Sequence, residues 1–132
     1  MAKPQMRVGI GILILRGKDI LLGRRISGHR SGTWQTAGGH LEFGESFNDC
    51  VRREIDEEVG IKVTNIRQVI ATNDIFHQEH KHYVSVFMAC DYVSGDPIAR
   101  EPDKCSEWRW FPKDKLPSPL FLPYAKVLRL VK

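Results

Sequence analysis

Three glutamates within one short segment, Glu54, Glu57 and Glu58, are the residues of this chain best placed to do chemistry. They belong to the stretch Gly39 to Ile61, which reads GHLEFGESFNDCVRREIDEEVGI. On a helix, Glu54 and Glu58 stand one turn apart and Glu57 is three residues from Glu54, so all three reach one metal cluster. Such a grouping suits a divalent cation beside a phosphate chain. Magnesium takes oxygen ligands in an octahedron and keeps several of its waters.

A helix is what must position them. Ser46 is the expected N-cap, with the acid Asp49 three residues on, and Gly60 is a natural stop because glycine accepts the left-handed conformation past the last turn. The helix is expected from Phe47 to Val59, about 20 Å long. Stepping about 100° per residue, Phe47, Cys50, Val51 and Ile55 form one apolar arc. Glu54 and Glu58 fall inside that arc and Glu57 at its edge, whereas Asn48, Asp49, Arg52 and Asp56 lie largely outside it. A merely solvated acidic helix, with pairs such as Arg53 with Glu57, keeps its acids off the apolar side. Carboxylates crowded near a core take up protons unless a cation sits among them.

The segment matches every fixed position of the Nudix box: Gly39, then Glu45 after five residues, then Arg53-Glu54-Ile55-Asp56-Glu57-Glu58-Val59-Gly60-Ile61 after seven more. The resemblance to the Nudix hydrolases extends over nearly the whole chain. Its flanks (Val8 to Leu15, Ile20 to Arg25, Gly32 to Glu42) are similar to the MutT-like nucleoside triphosphate diphosphatases. Ala37 departs from the proline that many members carry before the two glycines, which bears on the rigidity of that turn.

The resemblance implies an α/β chain of the α+β kind, with a mixed sheet sandwiched between helices. It implies that Glu54, Glu57 and Glu58 bind metal, that the Gly39 carbonyl adds a ligand, and that the cofactor is Mg2+, with Mn2+ as an alternative. Glu54 or a carboxylate on a later loop serves as base in this family, and Glu107, in its Glu-Trp context, is the later candidate here. Arg53 is expected to orient the carboxylates or Glu45, and Glu45 to brace the loop presenting Gly39. Candidate substrate contacts are Gly38, Arg24, Arg25, Trp34 and Phe76. A strand alternates its faces, so only one of the two arginines is expected to point inward. Either aromatic serves as a stacking platform or as core.

The implied reaction is magnesium-dependent cleavage of a nucleoside or deoxynucleoside triphosphate to the monophosphate and pyrophosphate, with nucleotide-pool sanitation as one role. Subfamilies acting on ADP-ribose tend to carry a proline shortly after the box, and none occurs between Lys62 and Asp96. The proline-rich signature of the NADH subfamily is also absent. ADP-ribose or a dinucleoside polyphosphate is the alternative substrate, and a catalytically silent nucleotide- or RNA-binding module is the alternative class. Silent relatives usually lose box glutamates, and this chain keeps them. Relatives often form homodimers.

Composition sets the frame. The 132 residues suffice for one domain spanning the chain, with 42% hydrophobic and 27% charged residues. The net charge of +4 is spread over pairs such as Arg24/Arg25, Arg52/Arg53 and Lys113/Lys115. That favours a small nucleotide over a nucleic-acid polymer. Cys50, Cys90 and Cys105 form no CxxC pair and are expected as reduced thiols in the cytoplasm. The first residues lack a signal-peptide pattern, and the apolar run Val8 to Leu15 is too short to span a bilayer.

Other elements follow from punctuation. Arg7 to Leu15 and Asp19 to Arg24 read as a hairpin around Arg16-Gly17-Lys18, and Ile26 to Gly32 as a polar loop. Trp34 to Ala37 reads as a short strand. Lys62 to Phe76 is β-rich with a break near Asn65, His82 to Val93 is a strand, and Ser94 to Pro97 a turn. His77, His80 and His82 with Glu79 read as an exposed hairpin tip rather than a metal cluster. Ser106 to Phe111 reads as a strand, and Tyr124 to Val131 as a final helix.

Overall fold

Gly17, at φ +58°, makes the first tight turn, joining β1 (Met6–Arg16) to β2 (Asp19–Arg25). The two strands pair only beside that turn, at Leu15↔Ile20 and Arg16↔Asp19. Beyond it they part. The free edge of β1 at Gly9 to Ile12 is taken by β4 (Ala37–His40), and β2 is taken by β7 (Cys105–Pro112). These are features of the computed structural model, which describes residues 5–26, 31–120, 127 and 130.

The remaining elements are β3 (Trp34–Gln35), α1 (Phe47–Glu58), β5 (Lys62–Phe76) and β6 (Lys81–Ser94). The sheet runs β3-β2-β1-β6-β5, with β4 on β1 and β7 on β2. It is mixed: β1 lies parallel to β6, from Met6↔His82 to Leu15↔Asp91, and the other pairs are antiparallel. A strand covered on both faces needs an unbroken apolar run, which Ile10 to Leu15 supplies in part. Ile10, Ile12 and Ile14 face one way, into a core with Val86, Met88, Cys90 and the α1 residues Cys50, Val51 and Ile55. Leu13 and Leu15 face the other way, with Leu22, Trp34, Phe87, Ala89 and Val127. Truncating a fully buried member such as Ile12 to alanine costs about 2–5 kcal/mol.

The helix forms as its signals dictate. Ser46 caps it, accepting from the Asp49 N–H at 3.1 Å, and the Val59 and Gly60 N–H groups both close onto the Ile55 carbonyl. Gly60 follows at φ +78°.

Two expectations are modified. The expected strand Trp34 to Ala37 is two strands, because the chain changes partner at Thr36, from β2 to β1. The expected break at Asn65 is a bulge at φ +54° inside a continuous β5. The final helix lies mostly outside the described residues, although Val127 is helical and buried. The loop expected at Ile26 to Gly32 likewise lies largely outside them. Among the described residues, no helix is long and apolar enough to cross a membrane, and Cys50, Cys90 and Cys105 are buried free thiols.

Candidate active site

The two glycines of β4 let the sheet edge and α1 meet at close range. A Cβ on Gly39 would overlap the Glu54 carboxylate, and a Cβ on Gly38 would overlap the Ile10 carbonyl oxygen. Only residues without a side chain permit both approaches. The Gly38 N–H donates to Glu58 Oε2 at 3.0 Å, so β4 fixes one carboxylate directly and abuts another. As the helical arc predicted, Glu54 is buried, Glu58 is half-buried and Glu57 is exposed.

Arg53 holds this end of the site. Its Nε and Nη2 donate to Glu45 at 2.7 and 3.0 Å, its Nη1 donates to Glu54 at 2.7 Å, and its Nη2 also reaches the His40 carbonyl at 3.1 Å. Bidentate pairing of this kind fixes orientation as well as charge. Glu45 also accepts the Glu42 N–H at 3.1 Å and so braces the loop between β4 and α1. The Arg53 hydrogen bond holds the Glu45 carboxyl well below its usual range, at about 2. The same bond raises the Arg53 guanidinium.

The helix carboxyls behave in the opposite sense. Burial pushes Glu58 up to about 8, opposed by the Gly38 hydrogen bond and reinforced by the charges of Glu54 and Glu101. Burial also raises Glu54, against the pull of Arg53. From below, Trp108 Nε1 donates to the Glu58 carbonyl at 3.1 Å and anchors the last turn.

Gly38, Gly39, Arg53, Glu54, Glu57 and Glu58 line one end of a cleft of about 940 Å³. Arg25, Glu101, Lys104 and Cys105 share its walls. At the other end are Phe76 and Tyr83, whose rings meet edge to face at 6.4 Å; between the two ends the His40 ring stacks on Tyr83 at 5.7 Å.

The expected site residues divide. Glu54, Glu57, Glu58, Arg53, Gly38, Gly39, Arg25 and Phe76 all line the cleft. Glu45 and Gly60 support it from outside: a Cβ on Gly60 would strike Arg100, which folds back to the Asp56 carbonyl. Arg24 is exposed, with its guanidinium 5.9 Å from the Trp34 ring. Trp34 is not a platform in this cleft. It is buried, edge-on to Phe111 at 4.9 Å, within the second core.

Glu107 is not brought to the helix carboxylates either. Trp108 faces α1, so the period of two along β7 turns Glu107 to the other side, where Arg109 holds it at 2.8 Å. The acid that enters the cleft is Glu101, on the loop before β7, with Lys104 3.7 Å away. Sequence reading missed it, along with Tyr83, His40 and Lys104. The alternation of Trp108 and Trp110 was the signal against Glu107. The histidine-rich turn at 77–80 is an exposed hairpin tip, as expected, with Glu79 on the rim of the cleft.

Among the described residues, no three His, Cys, Asp or Glu groups stand as a ready-made metal cage. The donor chemistry nonetheless fits a hard cation. It is all oxygen, and it contains two carboxyls whose raised values a neighbouring cation would relieve.

The chain belongs to the Nudix hydrolase family: the NUDIX domain model matches residues 5–131. It is similar to the NAD-capped RNA hydrolase NudC of Shigella dysenteriae, 39% identical over 98% of this chain and 48% of that protein. The chain spans less than half the length of the curated relatives it matches, 39% to 48%. Among solved structures, the MutT NUDIX hydrolase of Burkholderia pseudomallei superposes with TM-score 0.90 at 33% identity, covering 97% of this chain and 99% of that one. An ADP-ribose pyrophosphatase of Streptococcus suis superposes with TM-score 0.74 at 25% identity, covering 97% and 89%. Nudix hydrolases generally use divalent metal ions.

Proposed function

We propose that this chain hydrolyses a nucleoside or deoxynucleoside triphosphate to the monophosphate and pyrophosphate, with magnesium as the cofactor. The observation that supports hydrolysis is that Glu54, Glu57, Glu58 and Glu101 line one cleft with Gly38 and Gly39, with Glu54 and Glu101 near enough for their charges to act on Glu58. The triphosphate reading rests on the MutT-like flanks and the missing post-box proline. A cleft of about 940 Å³ is ample for one nucleotide.

Glu54, Glu57, Glu58 and the Gly39 carbonyl would hold the cation, and Arg53 sets the orientation of Glu54. When bound, a divalent ion neutralises the polyphosphate and lowers the pKa of an attacking water. The water oxygen bonds to phosphorus, the bridging P–O bond breaks, and pyrophosphate departs. The water's proton passes to a carboxylate. The sequence left that role open between Glu54 and Glu107. With Glu107 turned away from α1, the later-loop candidate becomes Glu101, which lines the cleft with Glu54. Arg25 and Lys104 supply positive charge along the walls.

One observation favours a second reading. The NudC similarity spans 98% of the chain, which points to a dinucleotide such as NAD, free or capping an RNA. A panel of nucleoside triphosphates, ADP-ribose, NAD and an NAD-capped RNA oligonucleotide, assayed with magnesium and scored by product, separates the readings. Pyrophosphate plus monophosphate from a triphosphate supports the first. Turnover confined to NAD or the capped RNA replaces it with the second, and turnover of nothing points to a silent binding module.

A further inference from the structure

The turn of α1 that carries the cleft acids is electrostatically unfavourable by itself. A helix ends in a partial negative charge, and α1 ends in Asp56, Glu57 and Glu58 with no basic residue in its last turn. Its last carbonyls also lack acceptable partners within the helix.

One residue from outside the helix answers both needs. Arg100, in the segment between β6 and β7, donates from Nη1 to the Asp56 carbonyl at 3.1 Å, and the same nitrogen lies 3.8 Å from the Asp56 carboxylate. Its guanidinium rests over Gly60, where a Cβ would collide with Nε, Cζ and Nη2. The main chain follows the side chain. The Ile98 N–H donates to the Val59 carbonyl at 3.0 Å, and the Arg100 N–H to the Glu58 carbonyl at 3.2 Å.

The next residue is Glu101. Its carbonyl accepts the N–H groups of Lys104 and Cys105 at 2.9 and 3.0 Å, so the chain turns at once into β7. Glu101 therefore stands between two anchors, the end of α1 before it and the start of β7 after it. Its side chain lines the cleft, near enough for its charge to act on both Glu54 and Glu58. Residues 95–104 belong to no helix or strand. The contacts of Arg100 and Ile98 with α1 hold this segment at the catalytic end of the helix.

We infer that Arg100 is a positioning residue that docks the 95–104 segment on the end of α1 and so sets Glu101 against the helix carboxylates. This rests on the hydrolytic reading above, with Glu101 as the later-loop acid, and adds what fixes that acid in place. The Arg100 side chain is half-exposed, and an exposed ion pair contributes little to folding. A reacting group displaced by about 1 Å, in contrast, costs up to about 100-fold in rate. Arg100 should therefore show in kcat more than in melting.

The test compares wild type, Arg100→Ala, Arg100→Lys, Glu101→Gln and the double variant Arg100→Ala/Glu101→Gln. Each is assayed with magnesium on whichever substrate of the panel above wild type turns over fastest. Arg100→Ala is expected to lower kcat about 10-fold and to leave KM within about 2-fold. Arg100→Lys, which keeps a donor for the Asp56 carbonyl, should recover part of the loss. In the Glu101→Gln background, Arg100→Ala should cost nothing further, because the group it positions is already gone. A loss caused by poorer folding would instead persist in that background. If Arg100→Ala keeps the wild-type kcat, or loses the same factor in both backgrounds, Arg100 is only structural. The inference then fails while the hydrolytic reading stands. If Glu101→Gln itself keeps the wild-type kcat, the role of Glu101 fails and the inference with it. Should Arg100→Ala not fold, Arg100→Gln carries the same comparison.

Discussion

The two ends of the cleft are built differently. At the α1 end, polar groups are held by short directed contacts: Glu54 by Arg53, Glu58 by the Gly38 N–H, and Glu45 by two nitrogens of one guanidinium. At the β5–β6 end, Phe76 and Tyr83 meet as rings, with exposed strand positions and the hairpin tip beside them, and His40 joins the two ends, its carbonyl on Arg53 and its ring on Tyr83. The first end fixes charge to within a bond length, as a reaction requires. The second presents shape and aromatic surface, as recognition of a ring requires. Substitutions at the first end should therefore act on kcat, and those at the second on KM and substrate choice.

The largest effect is expected at Glu58. Glu58→Gln should reduce kcat by roughly three orders of magnitude, within the range that loss of one catalytic side chain gives. It should leave the metal-free fold intact. The same residue gives a pH test. Its carboxyl titrates at about 8 when folded, against an ordinary value of 4.5. The unfolded chain therefore releases this proton first. In excess chelator, wild-type stability is fully present below about 4.5 and falls as pH rises to about 8. Thermal melts should show that decline, weakened in Glu58→Gln. An unchanged slope would remove Glu58 as its source.

Next in size is the contrast between two acids near β7. Glu101→Gln should lower kcat about 100-fold. Glu107→Gln, away from the cleft carboxylates and paired with Arg109, should stay within about 2-fold, as surface substitutions do. Reversal of that order in steady-state kinetics would return the proton acceptor to Glu107.

Phe76→Ala comes third. It should raise KM about 5- to 10-fold with little change in kcat, in line with the worth of one stacked ring. An equal fall in kcat would mean that the two ends are not separable. The smallest contrast lies within one dipeptide: Arg25→Ala should raise KM several-fold, whereas Arg24→Ala, exposed beside Trp34, should change nothing beyond about 0.5 kcal/mol of stability.

The same division explains what could be read from the sequence. The α1 end is local: cap, glycine stop and glutamate spacing lie within 23 residues, Gly39 to Ile61, and a period near 3.6 places each acid on its face. Hence the burial of Glu54 and the edge position of Glu57 were legible from the helix alone, whereas the bracing by Arg53 was an expectation from the family resemblance. The partner change at Thr36 was not legible, because it depends on β1 and β2 parting beyond Gly17, which no local pattern encodes. Tyr83 and Glu101 come from β6 and the loop before β7 and share a cleft with His40 only through the assembled fold. Trp34 stayed open between platform and core, the commoner role for such an aromatic, and its packing on Phe111 decides for core.

The central claim is that Glu54, Glu57, Glu58 and Glu101 form one metal-dependent hydrolytic centre. It is tested most directly by following pyrophosphate and orthophosphate release from a nucleoside triphosphate with magnesium, and again with excess chelator. The account predicts pyrophosphate and monophosphate in equal amounts with magnesium, and loss of turnover in chelator. Undiminished turnover in excess chelator, or orthophosphate as the sole inorganic product, would contradict it.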